Sequence, residues 1–251
     1  MPDLDRRYAQ GTAAGRTEAG VVDEGLRAYM LRVYNYMASG VAITGVVAYL
    51  IYTMSVEQTG AGLQLTAFGS FMFASAFKWV VIFAPLAMVF YLSARINSMS
   101  LNGAQTAFWV FAALMGASIS SIFLIYAGES IARVFFITAA SFGALSLWGY
   151  TTKKDLSGWG SFLFMGLIGV IIAMLVNLFI ASSALQFAIS VIGVLVFAGL
   201  TAYDTQQIKE MYYVGDDGTV AGRKAVMGAL RLYLDFINLF MLLLLLFGGR
   251  R

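Results

Sequence analysis

The sequence predicts an all-α membrane protein, a polytopic bundle of seven transmembrane helices. Hydrophobic residues make up 60% of the 251 residues and charged residues only 12%. Soluble domains contain roughly 45–50% hydrophobic and about 25% charged residues. The mean hydropathy is +0.81. The apolar residues are concentrated in seven stretches, each near the roughly 20 residues that cross a bilayer core. A soluble globular domain is therefore excluded.

The chain begins with a polar segment. Residues 1–25 contain many charged side chains and no apolar run, so they lack the apolar core and small-residue cleavage site of a signal peptide. We expect a solvated cytosolic tail over 1–25 and a seven-helix transmembrane domain over 26–251.

Seven spans follow, joined mostly by short connections. The segment from Ser55 to Lys78 contains a weakly apolar piece that is shorter than a span, and we interpret it as interfacial. Pro85 in the second span removes one helical hydrogen bond and predicts a kink. Small residues in the third, fifth and sixth spans predict close helix packing. The spans are predicted at 29–53, 79–98, 104–126, 131–150, 159–181, 185–208 and 227–248.

The distribution of Lys and Arg predicts the orientation, because cytoplasmic loops are enriched in both residues. With a cytoplasmic N-terminus, twelve of the 16 Lys and Arg residues face the cytoplasm and four face outward. Seven full spans place Arg250 and Arg251 outside. A re-entrant last segment that returns to the inner side is the alternative.

The sequence contains no His and no Cys. This excludes Ser-His-Asp and Cys-His triads, HExxH metal sites, CxxC redox pairs and cysteine-ligated iron–sulfur clusters. A retinal pigment needs a Lys in the middle of the membrane, and every Lys here lies at the end of a span or in a loop. We predict no enzyme activity and no bound cofactor.

Two acidic residues inside predicted spans are the strongest functional signal, because an ionisable residue at mid-helix costs about 2.5–3.5 kcal/mol on insertion scales. Asp204 lies near the inner end of the sixth span, and Asp235 lies one turn beyond Arg231 in the seventh. Consecutive antiparallel helices bring the two carboxyl groups to similar depth. Arg95 and Arg231 are candidate ion-pair partners. Candidate polar lining residues are Asn177, Ser190, Thr201 and Asn238.

Two neighbouring carboxyl groups in a medium of reduced dielectric cannot both ionise at low cost, so they are expected to titrate as a unit. Such a pair could sense pH, hold a proton or bind a hard cation such as Ca²⁺ through oxygen ligands. Asp204 and Asp235 are thus a candidate pH-sensing and gating pair and a candidate Ca²⁺ site. In the alternative interpretation, the two acids only pair with Arg to hold the bundle together.

Three segments resemble the Bax inhibitor-1 family: FAGLTAYDTQQIKEMY, LYLDFINLF and WVVIFAPLAMVF. The resemblance covers residues 25–248 and implies a bacterial member with seven helices and a central last helix. It further implies a pH-sensitive Ca²⁺ leak gated by Asp204 and Asp235, location in the inner membrane, and association of bacterial relatives with a membrane-bound ATP-dependent protease. The linker that carries Gly215, Asp216, Asp217 and Gly218 is longer than the family's usual one.

Two functional hypotheses remain open. The first is a pH-regulated Ca²⁺ or other cation leak, in which Ca²⁺ is the transported ion. The second is a non-transporting regulator that binds membrane proteins such as the protease through the polar tail. A proton-coupled transporter is disfavoured because the chain shows no two-fold repeat. We expect the lipid bilayer as a partner, no nucleic acid, and a monomer rather than an obligate oligomer.

Overall fold

The structure is a computed structural model that describes the backbone of residues 2–60 and 62–251 and the side chains of residues 24–60 and 62–251. Within these residues, seven helices are long and apolar enough to cross a membrane, which confirms the predicted fold class. They are α1 (Pro2–Ser55), α2 (Phe77–Arg95), α3 (Leu101–Ile119), α4 (Gly128–Thr151), α5 (Ser157–Ile180), α6 (Ser183–Glu210) and α7 (Gly218–Phe247).

The predicted polar tail over 1–25 falls almost entirely outside the described side chains, so its separation from the transmembrane domain stays a prediction. Apolar residues dominate the part of α1 from Glu24 to Ser55. Pro85, for which a kink was expected, is buried inside α2, which runs without interruption from Phe77 to Arg95.

Side chains and one left-handed residue define several helix ends. The hydroxyl of Ser100 accepts a hydrogen bond from the backbone at the start of α3, and Ser182 does the same for α6. Asp217 accepts from the N–H groups of both Thr219 and Val220 at 2.8 Å. These bonds satisfy N–H groups that have no partner inside the helix. Ala181 ends α5 with a φ of 52°.

A small β-hairpin follows α1. Strand β1 (Val56–Thr59) pairs antiparallel with β2 (Gly62–Leu65), with Val56 opposite Leu65. Gly62 has a φ of 108°, which only glycine adopts without strain. Short helical turns over Ala67–Gly69 and Ser70–Ala74 lead into α2. This hairpin lies in the segment that was predicted only as interfacial.

Helix α7 occupies the centre of the bundle. In its most apolar window 61% of the residues are buried, against 33% or less in each other span, and it packs against α1, α3, α4 and α6. The central last helix implied by the family resemblance is therefore present. Because α7 is one continuous helix of 30 residues, about 45 Å long, it is a full span and not a re-entrant segment.

The bundle has two distinct ends. We call the one with loops 152–156 and 211–217 the loop end, and the one with the β-hairpin the hairpin end. The C-terminus lies at the hairpin end, where the backbone N–H of Arg251 donates to Ile125 at 3.0 Å and its side chain donates to the hydroxyl of Tyr52 at 2.7 Å. The last residues thus contact α1 and, through the N–H of Gly249 and the hydroxyl of Ser130, α4.

Candidate functional site

Close packing of α6 against α7 positions the two predicted aspartates. A methyl group on Gly193 would lie 2.8 Å from Leu242, and one on Gly228 would lie 2.9 Å from Ile208. Both values are below normal carbon–carbon contact distance, so a larger residue at either position would require the facing side chain to shift. The two contacts lie on either side of the aspartates and fix the relative position of the helices.

Asp204 of α6 and Asp235 of α7 lie within side-chain hydrogen-bonding distance of each other. Asp235 is only 4% exposed, and Asp204 is partly buried. Oδ2 of Asp235 is buried and has no hydrogen-bond partner among the described residues. A carboxylate cannot donate a hydrogen bond, so the two groups can bond to each other only when one of them carries a proton.

Arg231 is a cation whose charge reaches the pair. It lies one turn before Asp235 on α7, and its charge acts on both carboxyl groups. Its side chain is exposed, and it forms no ion pair with either acid. Among the described residues, Lys224 and Asp216 make the one ion pair, at 2.6 Å. The structure therefore shows Arg231 near the pair without a direct salt bridge.

Arg95 lies elsewhere. It ends α2 at the loop end with an exposed side chain, and among the described residues it makes no hydrogen bond or ion pair with Asp204 or Asp235. The neighbouring turn is held instead by Arg223, whose guanidinium donates to the carbonyl of Met99 at 3.3 Å. The structure brings Arg231 to the pair and leaves Arg95 apart from it.

The predicted polar lining residues do not converge on the pair. Ser190, Thr201 and Asn238 each donate at 2.8 Å to the carbonyl four residues earlier in their own helix. Ser190 and Thr201 are buried and Asn238 is exposed. Asn177 accepts from Ser182 at 3.0 Å in the turn after α5. Thr201, one turn before Asp204, is the member of this set closest to it in the chain.

A chain of hydroxyl groups beside Asp204 was not predicted. Ser146 of α4 lies 2.8 Å from the hydroxyl of Tyr34 and 2.9 Å from that of Thr205. Thr205 donates its one hydrogen to the carbonyl of Thr201 at 2.7 Å. Each hydroxyl carries one hydrogen, so Ser146 donates to Thr205 and Tyr34 donates to Ser146. No sequence spacing links residues on α1, α4 and α6.

A second buried hydroxyl pair anchors α7 to the other side of the bundle. Tyr233 is fully buried, and its hydroxyl lies 2.6 Å from that of Thr44, which donates to the carbonyl of Ala112 at 2.9 Å. The Tyr233 ring packs edge-on against Phe108 and Phe111. This contact holds α7 against α1 and α3, two residues before Asp235.

The family model for "Inhibitor of apoptosis-promoting Bax1" matches residues 26–251. The chain belongs to the Bax inhibitor-1 family. It is 45% identical over 230 residues to the inner membrane protein YbhL of Escherichia coli K12, covering 90% of this chain and 94% of the relative. It is 51% identical to RP147 of Rickettsia prowazekii over 229 residues, 91% of this chain and 92% of that one. A protein of Caulobacter vibrioides is 46% identical over 252 residues and covers 100% of both.

These matches confirm the family resemblance drawn from the sequence segments. The apolar helices and the relative's name together identify a multi-pass membrane protein. The names of the family and of YbhL point to a membrane protein and not to an enzyme.

The family segment TAYDTQ uses three consecutive residues to contact three different parts of the bundle. Asp204 meets Asp235 on α7, Thr205 bonds Ser146 on α4, and Gln206 bonds the 152–156 loop. The Gln206 amide accepts from the N–H of that loop's last residue and donates to a carbonyl within it, both at 2.8 Å. Successive helical residues point about 100° apart, which explains how one segment reaches all three.

The linker between α6 and α7 is held by its own acids. Asp216 pairs with Lys224, and Asp217 caps α7. Hydrogen bonds from the backbone N–H groups of Val220 and Thr219 lower the pKa of the Asp217 carboxyl. The linker is therefore an ordered part of the loop end.

The aspartate pair offers few ligands for a resident metal ion. Within the part of the chain that the structure describes, no group of three or more His, Cys, Asp or Glu side chains could hold a metal. A protein Ca²⁺ site supplies about 6–8 oxygen ligands. Asp204 and Asp235 together supply at most four carboxylate oxygens, fewer than such a site uses.

Proposed function

We propose that this Bax inhibitor-1 family member is a pH-regulated cation leak, with Ca²⁺ as the transported ion and Asp204 and Asp235 as its proton-sensitive gate. The observation that carries the proposal is the contact of two carboxyl groups from α6 and α7 around a buried oxygen that has no donor. A pair of this kind changes its interaction each time a proton is gained or lost.

The protonation of the pair would control how α6 packs on α7. With one shared proton, the carboxyl groups attract each other. With no proton, the pair carries two negative charges, and two such charges about 4 Å apart repel by about 4 kcal/mol at an effective dielectric constant near 20. With two protons, both carboxyl groups are neutral and the pair no longer carries the negative charge that attracts Arg231. Each change of state therefore alters the force between the two helices.

In this proposal, the packing of α7 in the bundle core keeps the gate closed. From the pair towards the hairpin end, α7 buries Phe236, Leu239 and Phe240 in the bundle core. The ring of Phe236 packs edge-on against Phe135 and Phe142 of α4. A hydrated ion cannot pass an apolar constriction of this kind until it widens and takes up water. Conduction thus requires α7 and its neighbours to separate.

The test is Ca²⁺ flux into proteoliposomes that contain a Ca²⁺-sensitive dye, measured at a series of pH values. We expect the flux of the wild-type protein to change with pH and that of Asp204→Asn and Asp235→Asn to lose this dependence. Asp155→Asn is the matched control, since Asp155 is an exposed acid in the loop-end segment and its replacement should leave the profile unchanged.

Three outcomes would overturn the proposal, two of which concern the wild-type protein and the aspartate variants. One is a wild-type flux that does not respond to pH, and the other is an unaltered pH profile in both aspartate variants. Elution of each variant as a single species in detergent verifies folding. An Asp155→Asn profile that shifts as much as the other two would show that surface charge, and not the pair, sets the pH response.

A non-transporting role remains the alternative proposal, carried by the charged residues of the polar tail at 1–25. In that role the tail, with the N-terminus in the cytoplasm, would bind a membrane-bound ATP-dependent protease. Deletion of residues 1–25 separates the two proposals. Loss of protease binding with flux intact assigns the tail to regulation, and loss of flux with binding intact rejects the regulatory role.

A further inference from the structure

A lateral groove runs between α1 and α4 with α7 as its floor. It consists of two cavities of about 760 Å³ and 320 Å³ that share Val41, Phe135 and Phe236 as lining residues. The larger extends from Arg27 to Ala42 along α1. That is about 22 Å at 1.5 Å per residue. Because both walls are membrane-spanning helices, the groove faces the hydrocarbon region of the bilayer.

The walls of the larger cavity are apolar along most of their length. Leu31 of α1 and Leu147 of α4 are 51% and 62% exposed at its rims, and Met30, Phe142 and Phe236 lie deeper. The hydroxyl groups of Tyr34 and Ser146 on the walls are already bonded to each other. The surface therefore suits a hydrocarbon chain.

The two ends of the groove differ in charge. Arg27 lines the larger cavity at the loop end, as does Tyr150. None of the described residues that line the smaller cavity towards the hairpin end is charged. A cation at one end and about 22 Å of apolar wall beyond it match an amphipathic molecule with an anionic head. One leaflet of the bilayer core is about 15 Å thick, so such a molecule fits with its head at the membrane surface.

We infer that this groove is a binding site for one anionic phospholipid, with its phosphate at Arg27 and an acyl chain along α1 and α4. The volume of the larger cavity lies within the roughly 300–1,000 Å³ typical of small-molecule sites. A transmembrane helix is about 10 Å across and 30 Å long, too large for the groove to enclose. The inference is independent of ion conduction.

Two pairs of variants test the site, each with a matched control. Gly143 lines the groove and Gly169 of α5 is exposed elsewhere, and a Cβ atom added at either position meets no atom within 4 Å. Gly143→Phe fills the groove, and Gly169→Phe adds the same side chain outside it. Glycine is the poorer helix former, so neither change should prevent folding. Arg27→Gln removes the cation, and Arg32→Gln removes an exposed α1 cation that does not line the groove.

The measurement is binding of phosphatidylglycerol or phosphatidylcholine to the purified full-length chain in neutral detergent, by native mass spectrometry. We expect one tightly held phosphatidylglycerol on the wild-type protein. Gly143→Phe should weaken its binding at least about tenfold. Arg27→Gln should weaken it about fivefold and leave phosphatidylcholine binding unchanged. Both controls should behave as the wild-type protein does.

Three results would overturn the inference. The first is unchanged phosphatidylglycerol binding in both Gly143→Phe and Arg27→Gln. The second is equal weakening in the Gly169→Phe and Arg32→Gln controls, which indicates lipid bound over the whole surface. The third is a change of oligomeric state in Gly143→Phe with lipid binding intact, which would assign the groove to a second copy of the chain.

Discussion

Replacing Gly149 by Ala tests the packing that brings α4 against α6 beside the aspartate pair. A Cβ at this position would lie 2.9 Å from the carbonyl carbon of Ala202 and closer still to its oxygen. Carbon atoms ordinarily pack about 3.5–4.0 Å apart. The two helices must therefore separate by roughly 0.6–1 Å to admit one methyl group. The obstacle is helix backbone, which cannot rotate away as a side chain can.

The size of the effect follows from this geometry together with a control on the same helix. Overpacking costs about 1–3 kcal/mol, and the rigid backbone contact places Gly149→Ala towards the upper part of that range. Gly143→Ala meets nothing within 4 Å. Both changes carry the same helix-propensity benefit of about 0.8–1.0 kcal/mol. The difference in the free energy of unfolding between the two variants therefore measures the clash alone, and we expect it to be about 2–3 kcal/mol.

The assay is reversible unfolding of both variants in a denaturing detergent titration, followed by the loss of helical circular dichroism. We expect Gly149→Ala to unfold at a lower denaturant fraction than the wild-type protein and Gly143→Ala at an equal or higher one. Because Ala202 lies two residues before Asp204 in α6, the pH profile of Ca²⁺ flux should also change in Gly149→Ala. Equal stability of the two variants would refute the reasoning.

Two further changes test the loop end. Gln206→Leu removes the bonds to the 152–156 loop and leaves a buried backbone N–H unpaired, at a cost of about 1–3 kcal/mol. Trypsin should then cleave that loop faster than in the wild-type protein. Gln207→Leu is the control, because the amide of Gln207 bonds only the exposed Glu210, and it should not accelerate cleavage. Equal cleavage rates in the two variants would show that the Gln206 bonds do not hold the loop. Asp217→Asn tests the cap, whose pKa is lowered by N–H bonds from Val220 and Thr219. A carboxyl group whose pKa is lower in the folded state stabilises the fold at pH values above its unfolded-state pKa, which is near 3.9. This stabilisation is lost as the pH falls through the folded-state pKa. At about pH 5 the wild-type protein should therefore have a higher melting temperature than Asp217→Asn, and this difference should shrink at about pH 3. A difference that stays constant with pH would exclude the charge of Asp217 as its cause.

Much of the architecture could be predicted because a bilayer imposes simple rules. A span must be apolar over about 20 residues, and this rule locates all seven spans, the second to the sixth within about three residues at both ends. The first span begins at Glu24 instead of 29 and the last at Gly218 instead of 227. The proximity of Asp204 and Asp235 also follows from simple arithmetic. Two consecutive antiparallel helices with a rise of 1.5 Å per residue bring acids near their shared loop to the same depth.

Other features depend on tertiary contacts that leave no periodic signal. The strands at 56–59 and 62–65 are too short to show alternation. The polar stripe that contains Ser190 and Thr201 predicted a lining, yet a hydroxyl inside a helix can bond its own backbone, and both do so here. The bonds among Tyr34, Ser146 and Thr205 join three helices, and only their packing reveals them.

The three contacts of Asp204, Thr205 and Gln206 have a mechanical consequence for α6. They leave the helix in directions about 100° apart, towards α7, α4 and the 152–156 loop. Rotation of α6 about its axis cannot break one of these contacts and keep the other two. The helix therefore has one favoured angular setting, and departure from it disrupts all three contacts together.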